Sequence, residues 1–271
     1  MFNSSFECYD RSAGAARVVS TAGIGWTGPI CSTIARFVTL PVHMTDARRE
    51  MFGYLAETAG VLASPSRIEL VDLLAQGERS VEELSEASSL SVANASQHLQ
   101  QLRRAGIVSR RRNGRQILYD LADERVLDVM ATLRGMAEAN HAAAQRTLDH
   151  RYHARDSLAP VTRDELTERL RRRSVRLIDV RPEIEYRAAH IPGALSLPVI
   201  TLPEHLNALP KRPEVVAYCR GPYCVMAYKA VEILRPAGYR ARRLEGGFME
   251  WRRARLPLVR GETHPPTALG R

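Results

Sequence analysis

Val215-Val216-Ala217-Tyr218-Cys219-Arg220-Gly221-Pro222-Tyr223-Cys224 is the stretch on which the fold turns. Its apolar start reads as a short strand, Gly221-Pro222 is loop chemistry, and helical spacing follows from Val225 to Leu234. A strand, a six-residue loop and a helix set a thiol at a helix N-terminus. Unpaired backbone N–H groups and the positive end of the helix dipole then face the sulfur. Such surroundings lower a thiol pKa and favour an anion on it. Cys219 is therefore the candidate reactive thiol. The plain alternative is a pair of buried structural cysteines beside a turn, and Gly221-Pro222 between them speaks against it.

Working outward, Leu177-Ile178-Asp179-Val180-Arg181, Glu185-Tyr186 and His190-Ile191-Pro192-Gly193-Ala194 lie upstream. Leu244-Glu245-Gly246-Gly247-Phe248 and Trp251 lie downstream. With these four motifs in order, residues 161–262 resemble the rhodanese family. The resemblance implies a parallel sheet flanked by helices, with Cys219 carrying sulfane sulfur as a persulfide. It implies that Asp179 and Arg181 support the site from behind the loop; the alternative for either alone is a solvated ion pair after a strand. Many sulfurtransferases of this family end the loop with Arg five residues after the cysteine, where this chain has Cys224. An Arg there would hold an anionic donor such as thiosulfate, so its absence argues against efficient thiosulfate turnover. Arg220 offers charge from a different position. Cys224 brings chemistry of its own: a thiolate that attacks a neighbouring persulfide releases sulfide and leaves a disulfide. The expected order is that Cys219 accepts sulfur and Cys224 resolves it. Small sulfur species are the expected ligands, with no cofactor and no metal.

The length of 271 residues suits two domains, and 45% hydrophobic content is ordinary for globular protein. A net charge of +9 points to a polyanionic partner. Four cysteines, two of them in one loop, are too few for a secreted disulfide scaffold and fit a reducing, cytoplasmic setting.

Residues 1–43 lack a coherent pattern and are expected to form a poorly ordered tail. Translation starting at Met44 is the alternative. The uncharged run from Val18 to Ala35 is too polar and glycine-rich for a membrane span, and no secretory signal is expected. From Met44 the chain becomes helical. A helix over 46–62 is followed by one opening at Ser64-Pro65 and closed by Gly77. Ser80 with Glu83 forms a capping box, and Ser91 caps a fourth helix closed by Gly106. Ile107-Val108-Ser109 and Gln116-Ile117-Leu118-Tyr119 then flank a turn at Asn113-Gly114, the signature of a hairpin. Arg110, Arg111, Arg112 and Arg115 crowd its tip.

Helices followed by a basic hairpin describe a winged helix-turn-helix. Residues 44–150 resemble the ArsR family of bacterial repressors, on Ser64-Pro65-Ser66-Arg67, Leu90-Ser91, Ser96-Gln97-His98-Leu99, Leu102-Arg103, Ala105-Gly106-Ile107-Val108 and the wing through Tyr119. Leu99 and Leu102 are expected in the core. Ser91, Asn94, Ser96, Gln97, His98 and Arg103 are the candidate readers of double-stranded DNA. Arg111, Arg112 and Arg115 are expected on phosphate or in the minor groove. A solvated polar or basic face is the alternative for each alone.

Residues 123–149 read as one long helix with an apolar stripe at Val126, Met130, Leu133 and Ala137. The resemblance implies a homodimer through this helix and the one at 46–62, and hence an inverted-repeat operator. His150 and His153 have the spacing of half a metal site, but exposed histidines at a frayed helix end are the preferred reading. Residues 151–160 form a linker, Thr162 caps a helix with Glu165 three residues on, and Arg169, Arg171, Arg172 and Arg173 are expected on a solvated face. Residues 263–271 form a tail. The combined expectation is two domains, a mainly α winged helix-turn-helix and then an α/β rhodanese-like domain. Their function is that of a transcriptional regulator whose rhodanese-like domain senses or carries sulfane sulfur. An active sulfurtransferase with an attached DNA-binding domain, and an arsenite-responsive regulator, are the competing readings.

Overall fold

The computed structural model describes residues 7–9, 16–18, 42–151 and 158–261. The chain divides into two compact units, Met1–Gly53 and Tyr54–Arg271. The expected tail over 1–43 falls largely outside the described residues. Within it, β1 (Glu7–Tyr9) pairs antiparallel with β2 (Ala16–Val18). His153 also lies outside the described residues. Among the described residues, no helix is long and apolar enough to cross a membrane.

The helix α1 (Val42–Gly60) starts before the expected boundary. It is followed by α2 (Pro65–Leu74), β3 (Arg79–Ser80), α3 (Val81–Ser88) and α4 (Val92–Arg104). The capping box on α3 is complete: Glu83 N donates to Ser80 Oγ at 3.2 Å, and Ser80 N donates to the Glu83 carboxylate at 2.8 Å. The wing is β4 (Val108–Asn113) with β5 (Gln116–Leu121). Because Asn113 pairs with Gln116, the two-residue loop is Gly114-Arg115, one position later than the dipeptide signal suggested. Gly114 takes φ +60, the positive-φ conformation these tight turns need at their first position. Arg79–Ser80 adds a third strand, giving the order β3-β5-β4. Leu70, Leu74, Leu84, Leu99, Leu102 and Leu127 fill the core beneath.

The expected long helix is two, α5 (Arg125–Asn140) and α6 (Ala142–Arg151), with His141 extended between them. Asn140 is the last residue of α5. Its side-chain amide donates to Met136 O at 2.8 Å.

The remaining elements are α7 (Arg163–Arg171), β6 (Val175–Asp179), α8 (Glu183–Ala188), β7 (Leu195–Ser196), α9 (Leu202–His205), β8 (Glu214–Tyr218), α10 (Met226–Leu234), β9 (Ala241–Arg243) and α11 (Phe248–Arg253). The sheet is parallel throughout in the order β7-β6-β8-β9. Alternation along β8 sends Val215 and Ala217 to one packed layer and Val216 and Tyr218 to the other, as a sheet buried on both faces requires. Thr162 caps α7 through Glu165 N at 3.2 Å. Arg169 is not on a solvated face: it pairs with Glu165 at 3.0 Å and also with Glu214.

Candidate functional site

The sulfur loop hangs between the end of β8 and the start of α10. Cys219 is buried with the α10 layer, at 4% exposure, while Cys224 is half-buried. The Gly221 and Ala227 amides favour negative charge on the Cys219 sulfur, and those of Arg220 and Met226 favour it on the Cys224 sulfur. The Cys219 thiol donates to Cys224 O at 3.4 Å. Backbone amides thus act on both sulfurs of the loop rather than on one.

The acidities differ from the expected order. Burial, followed by the Cys224 hydrogen bond and charge, pushes the Cys219 thiol well up. The Cys219 hydrogen bond, then the amides and the Arg220 charge, bring Cys224 down to about 7 against the pull of its own burial. Cys219 was expected to be the activated thiol because the strand, loop and helix set it at a helix N-terminus. That same position places it in the dry layer under α10, where a charge is penalised.

Gly247 explains the Glu-Gly-Gly-Phe motif. It takes φ +80, and a Cβ there would sit 2.5 Å from the Cys219 carbonyl oxygen. The close approach lets Phe248 N donate to Cys219 O at 2.8 Å and Met249 N to Arg220 O at 2.9 Å. The start of α11 thereby ties down the loop backbone.

Asp179 and Arg181 lie behind the loop as a fully buried pair, not a solvated one, with Arg181 Nη2 2.6 Å from Asp179 Oδ2. Arg181 also donates to Ala189 O at 2.7 Å and stacks over Phe248 at 4.0 Å. No contact joins either residue to a sulfur among those described. Arg220, expected to offer its charge to the site, is clamped by Glu185, with Nη2 2.6 Å from Oε1. Its charge still reaches Cys224.

Sequence reasoning missed the residues that join the two halves of the second unit. Buried Glu185 also holds Arg79 of β3 at 2.8 Å. Gln76 accepts from Arg181 at 3.3 Å. Arg252 donates to Ala75 O at 3.0 Å and pairs with Glu124 at 2.8 Å, satisfying carbonyls at the end of α2 from across the junction. Met249 of α11 packs into the core beneath the wing. Tyr223 at the loop tip donates to Glu138 of α5 at 2.7 Å.

In the winged helix, Asn94, Gln97 and Arg103 on α4 are exposed, whereas Ser96 and His98 are half-buried. Ser91 is exposed but uses its hydroxyl to cap α4 through Asn94 N at 3.2 Å. Arg112 and Arg115 are exposed at the wing, and Arg111 is paired with Glu78.

Comparison with known proteins matches residues 64–110 to the bacterial regulatory protein, arsR family, and residues 162–254 to the rhodanese-like domain. An HTH-type transcriptional regulator of Mycobacterium tuberculosis is 39% identical over 80% of this chain and 95% of its own length. The chain belongs to the ArsR family of transcriptional regulators. The regulator carries a rhodanese-like domain behind its DNA-binding winged helix. A sulfurtransferase of Allochromatium vinosum is 38% identical to it over 32% of the regulator and 81% of that protein. A solution structure from Mycobacterium bovis, described as a homodimeric winged helix-turn-helix DNA-binding domain, is 33% identical. It covers 36% of the regulator and 91% of that chain, at a TM-score of 0.35.

Proposed function

We propose that the regulator binds an inverted-repeat operator as a two-fold dimer and releases or tightens its hold when the Cys219–Cys224 pair takes up sulfane sulfur. Asn94, Gln97 and Arg103 face base edges, and Arg112 and Arg115 of the wing face phosphate. Val129, Leu133 and Met136 form an exposed apolar stripe on α5, of the kind a dimer covers. The observation that carries the sensing reading is the bonding of the sulfur loop to that helix, through Tyr223 to Glu138 and through Met249 in the shared core. A change of loop geometry at the sulfurs is thereby transmitted to α5 by direct contact. Coupling between sites is commonly ~1–3 kcal/mol, or about 5–150-fold in affinity. Operator binding followed by fluorescence anisotropy, before and after polysulfide treatment, tests it. A shift in affinity that is absent in Cys219→Ser is expected; equal affinity in both states removes the sensor.

The likeness to a sulfurtransferase favours a second reading, in which the rhodanese-like domain turns over. Sulfur transfer to cyanide or a thiol, lost in Cys219→Ser, is its mark. The clamped Arg220 and the cysteine at the loop's last position count against thiosulfate as its donor.

A further inference from the structure

A groove of about 560 Å3 runs between the wing strands β4 and β5 and the rhodanese-like domain. Beside it, Gly77 lets the two domains close on one another: a Cβ there would meet the Ala188 Cβ of α8 at 2.4 Å. Gly261 N donates to Arg187 O at 2.9 Å, and His190 and Val259 exchange backbone hydrogen bonds at 2.9 and 3.0 Å. The segment carrying Arg260 is thereby held against the end of α8. Five arginines line the groove against two carboxylates, Glu78 and Asp120. Arg110 and Arg111 come from β4, whereas Arg187, Arg252 and Arg260 come from the rhodanese-like domain.

Two of these cations are already neutralised. Arg111 is paired with Glu78, and Arg252 with Glu124 and, at 3.8 Å, with Asp120. Arg187 pairs with Glu183 one turn earlier in α8, but both side chains are more than half exposed, so the pair is screened and weak. Arg110 and Arg260 are exposed and form no ion pair among the described residues. The Arg260 charge nevertheless reaches Asp120 on β5, which sets it over the wing sheet. Arg110 stands two residues before Arg112 on β4, roughly 7 Å of strand. The groove therefore begins where the wing tip ends. A duplex carries one negative charge per ~1.7 Å of its axis, and a backbone gripped at the tip continues past it. Val129, Leu133 and Met136, the exposed stripe on α5, do not line the groove, so the dimer makes no claim on it.

We propose that the rhodanese-like domain is itself part of the DNA interface: Arg187 and Arg260, with Arg110 of the wing, grip backbone phosphates that flank the segment the wing contacts. The proposal rests on the reading that Arg112 and Arg115 face phosphate. These flanking contacts carry no base identity, so they add affinity without sequence preference. They also give the second domain a direct hold on the duplex, because Arg187 and Arg260 move with α8 and the segment pinned to it.

The test uses the full chain and a duplex that it selects from random sequence, prepared in two lengths. The short form is the smallest on which Arg112→Ala and Arg115→Ala still weaken binding. The long form is extended by about one helical turn, ~10 base pairs, at each end. The parent is expected to show a salt slope on the long form that is steeper by about 0.9 for each added phosphate contact. Arg187→Ala and Arg260→Ala are each expected to lower the long-form slope by about 0.9 and to leave the short form unchanged. Arg187→Lys and Arg260→Lys keep the charge and are expected to keep the slope. Arg171→Ala, which removes the same charge from α7, is expected to change neither form. Equal losses on both forms, or the same loss in Arg171→Ala, show a general charge effect and overturn the proposal. Parental slopes in both alanine variants overturn it while the wing reading stands. If Arg112→Ala and Arg115→Ala weaken no length of duplex, both fall. Alanine variants that bind DNA as the parent does but lose inorganic pyrophosphate, measured by calorimetry, assign the groove to a small anion and overturn the proposal.

Discussion

Arg79, on a strand of the winged helix, reaches across the domain junction to within 2.8 Å of the Glu185 carboxylate. Both side chains are buried, and Glu185 is also the clamp on Arg220 beside the sulfur. One carboxylate therefore ties the DNA-binding fold to the sulfur loop. Removing one member of such a buried pair leaves an uncompensated charge, at ~3–5 kcal/mol. Glu185→Ala is expected to lower stability by about that range in urea unfolding, and Glu185→Gln by less, because the amide oxygen still accepts hydrogen bonds.

Cys224 sets the pH at which the pair becomes nucleophilic. Its folded pKa is lowered to about 7, first by the Cys219 hydrogen bond. The thiolate fraction, and with it the rate of alkylation by iodoacetamide, should rise through about pH 7. A free cysteine does so near ~8.5. In Cys219→Ala the donated hydrogen bond is gone, so the midpoint should move to higher pH. An unmoved midpoint would show that the amides and Arg220 alone hold the shift.

Met249 belongs to the rhodanese-like domain by sequence, yet it is buried at 3% exposure in the core beneath the wing. Truncating a buried side chain of this size costs about 2–5 kcal/mol. Met249→Ala is expected to lower stability in that range and to split one cooperative thermal transition into two, as seen by calorimetry. A single transition at the parental temperature would mean that the shared core adds nothing.

The two classes of DNA contact should separate by salt and sequence. Arg112→Ala or Arg115→Ala is expected to weaken all DNA fragments alike and to reduce the salt slope by about 0.9 for each phosphate that is no longer neutralised. Gln97→Ala is expected to relax preference at one base pair, by ~1–3 kcal/mol, with the slope kept. Titrations on matched and mismatched operators at several salt concentrations distinguish them.

The residues alone carried the two folds, because each rests on local rules. The capping box at Ser80 and Glu83, the wing's turn opening at Gly114, and the strand–loop–helix around Cys219 are set by neighbours in sequence. Gly247 was legible as part of a motif; its role in admitting the Cys219 carbonyl was not. Tertiary structure alone decided which cysteine is buried, that Arg220 is occupied by Glu185, and that α5 ends at Asn140. It also decided that Arg79, Gln76 and Met249 cross the junction. Periodicity and capping act within a few residues along the chain. Desolvation and ion pairing depend on what lies within a few ångströms in space, and Arg79 and Glu185, which meet in the fold, stand far apart in the sequence.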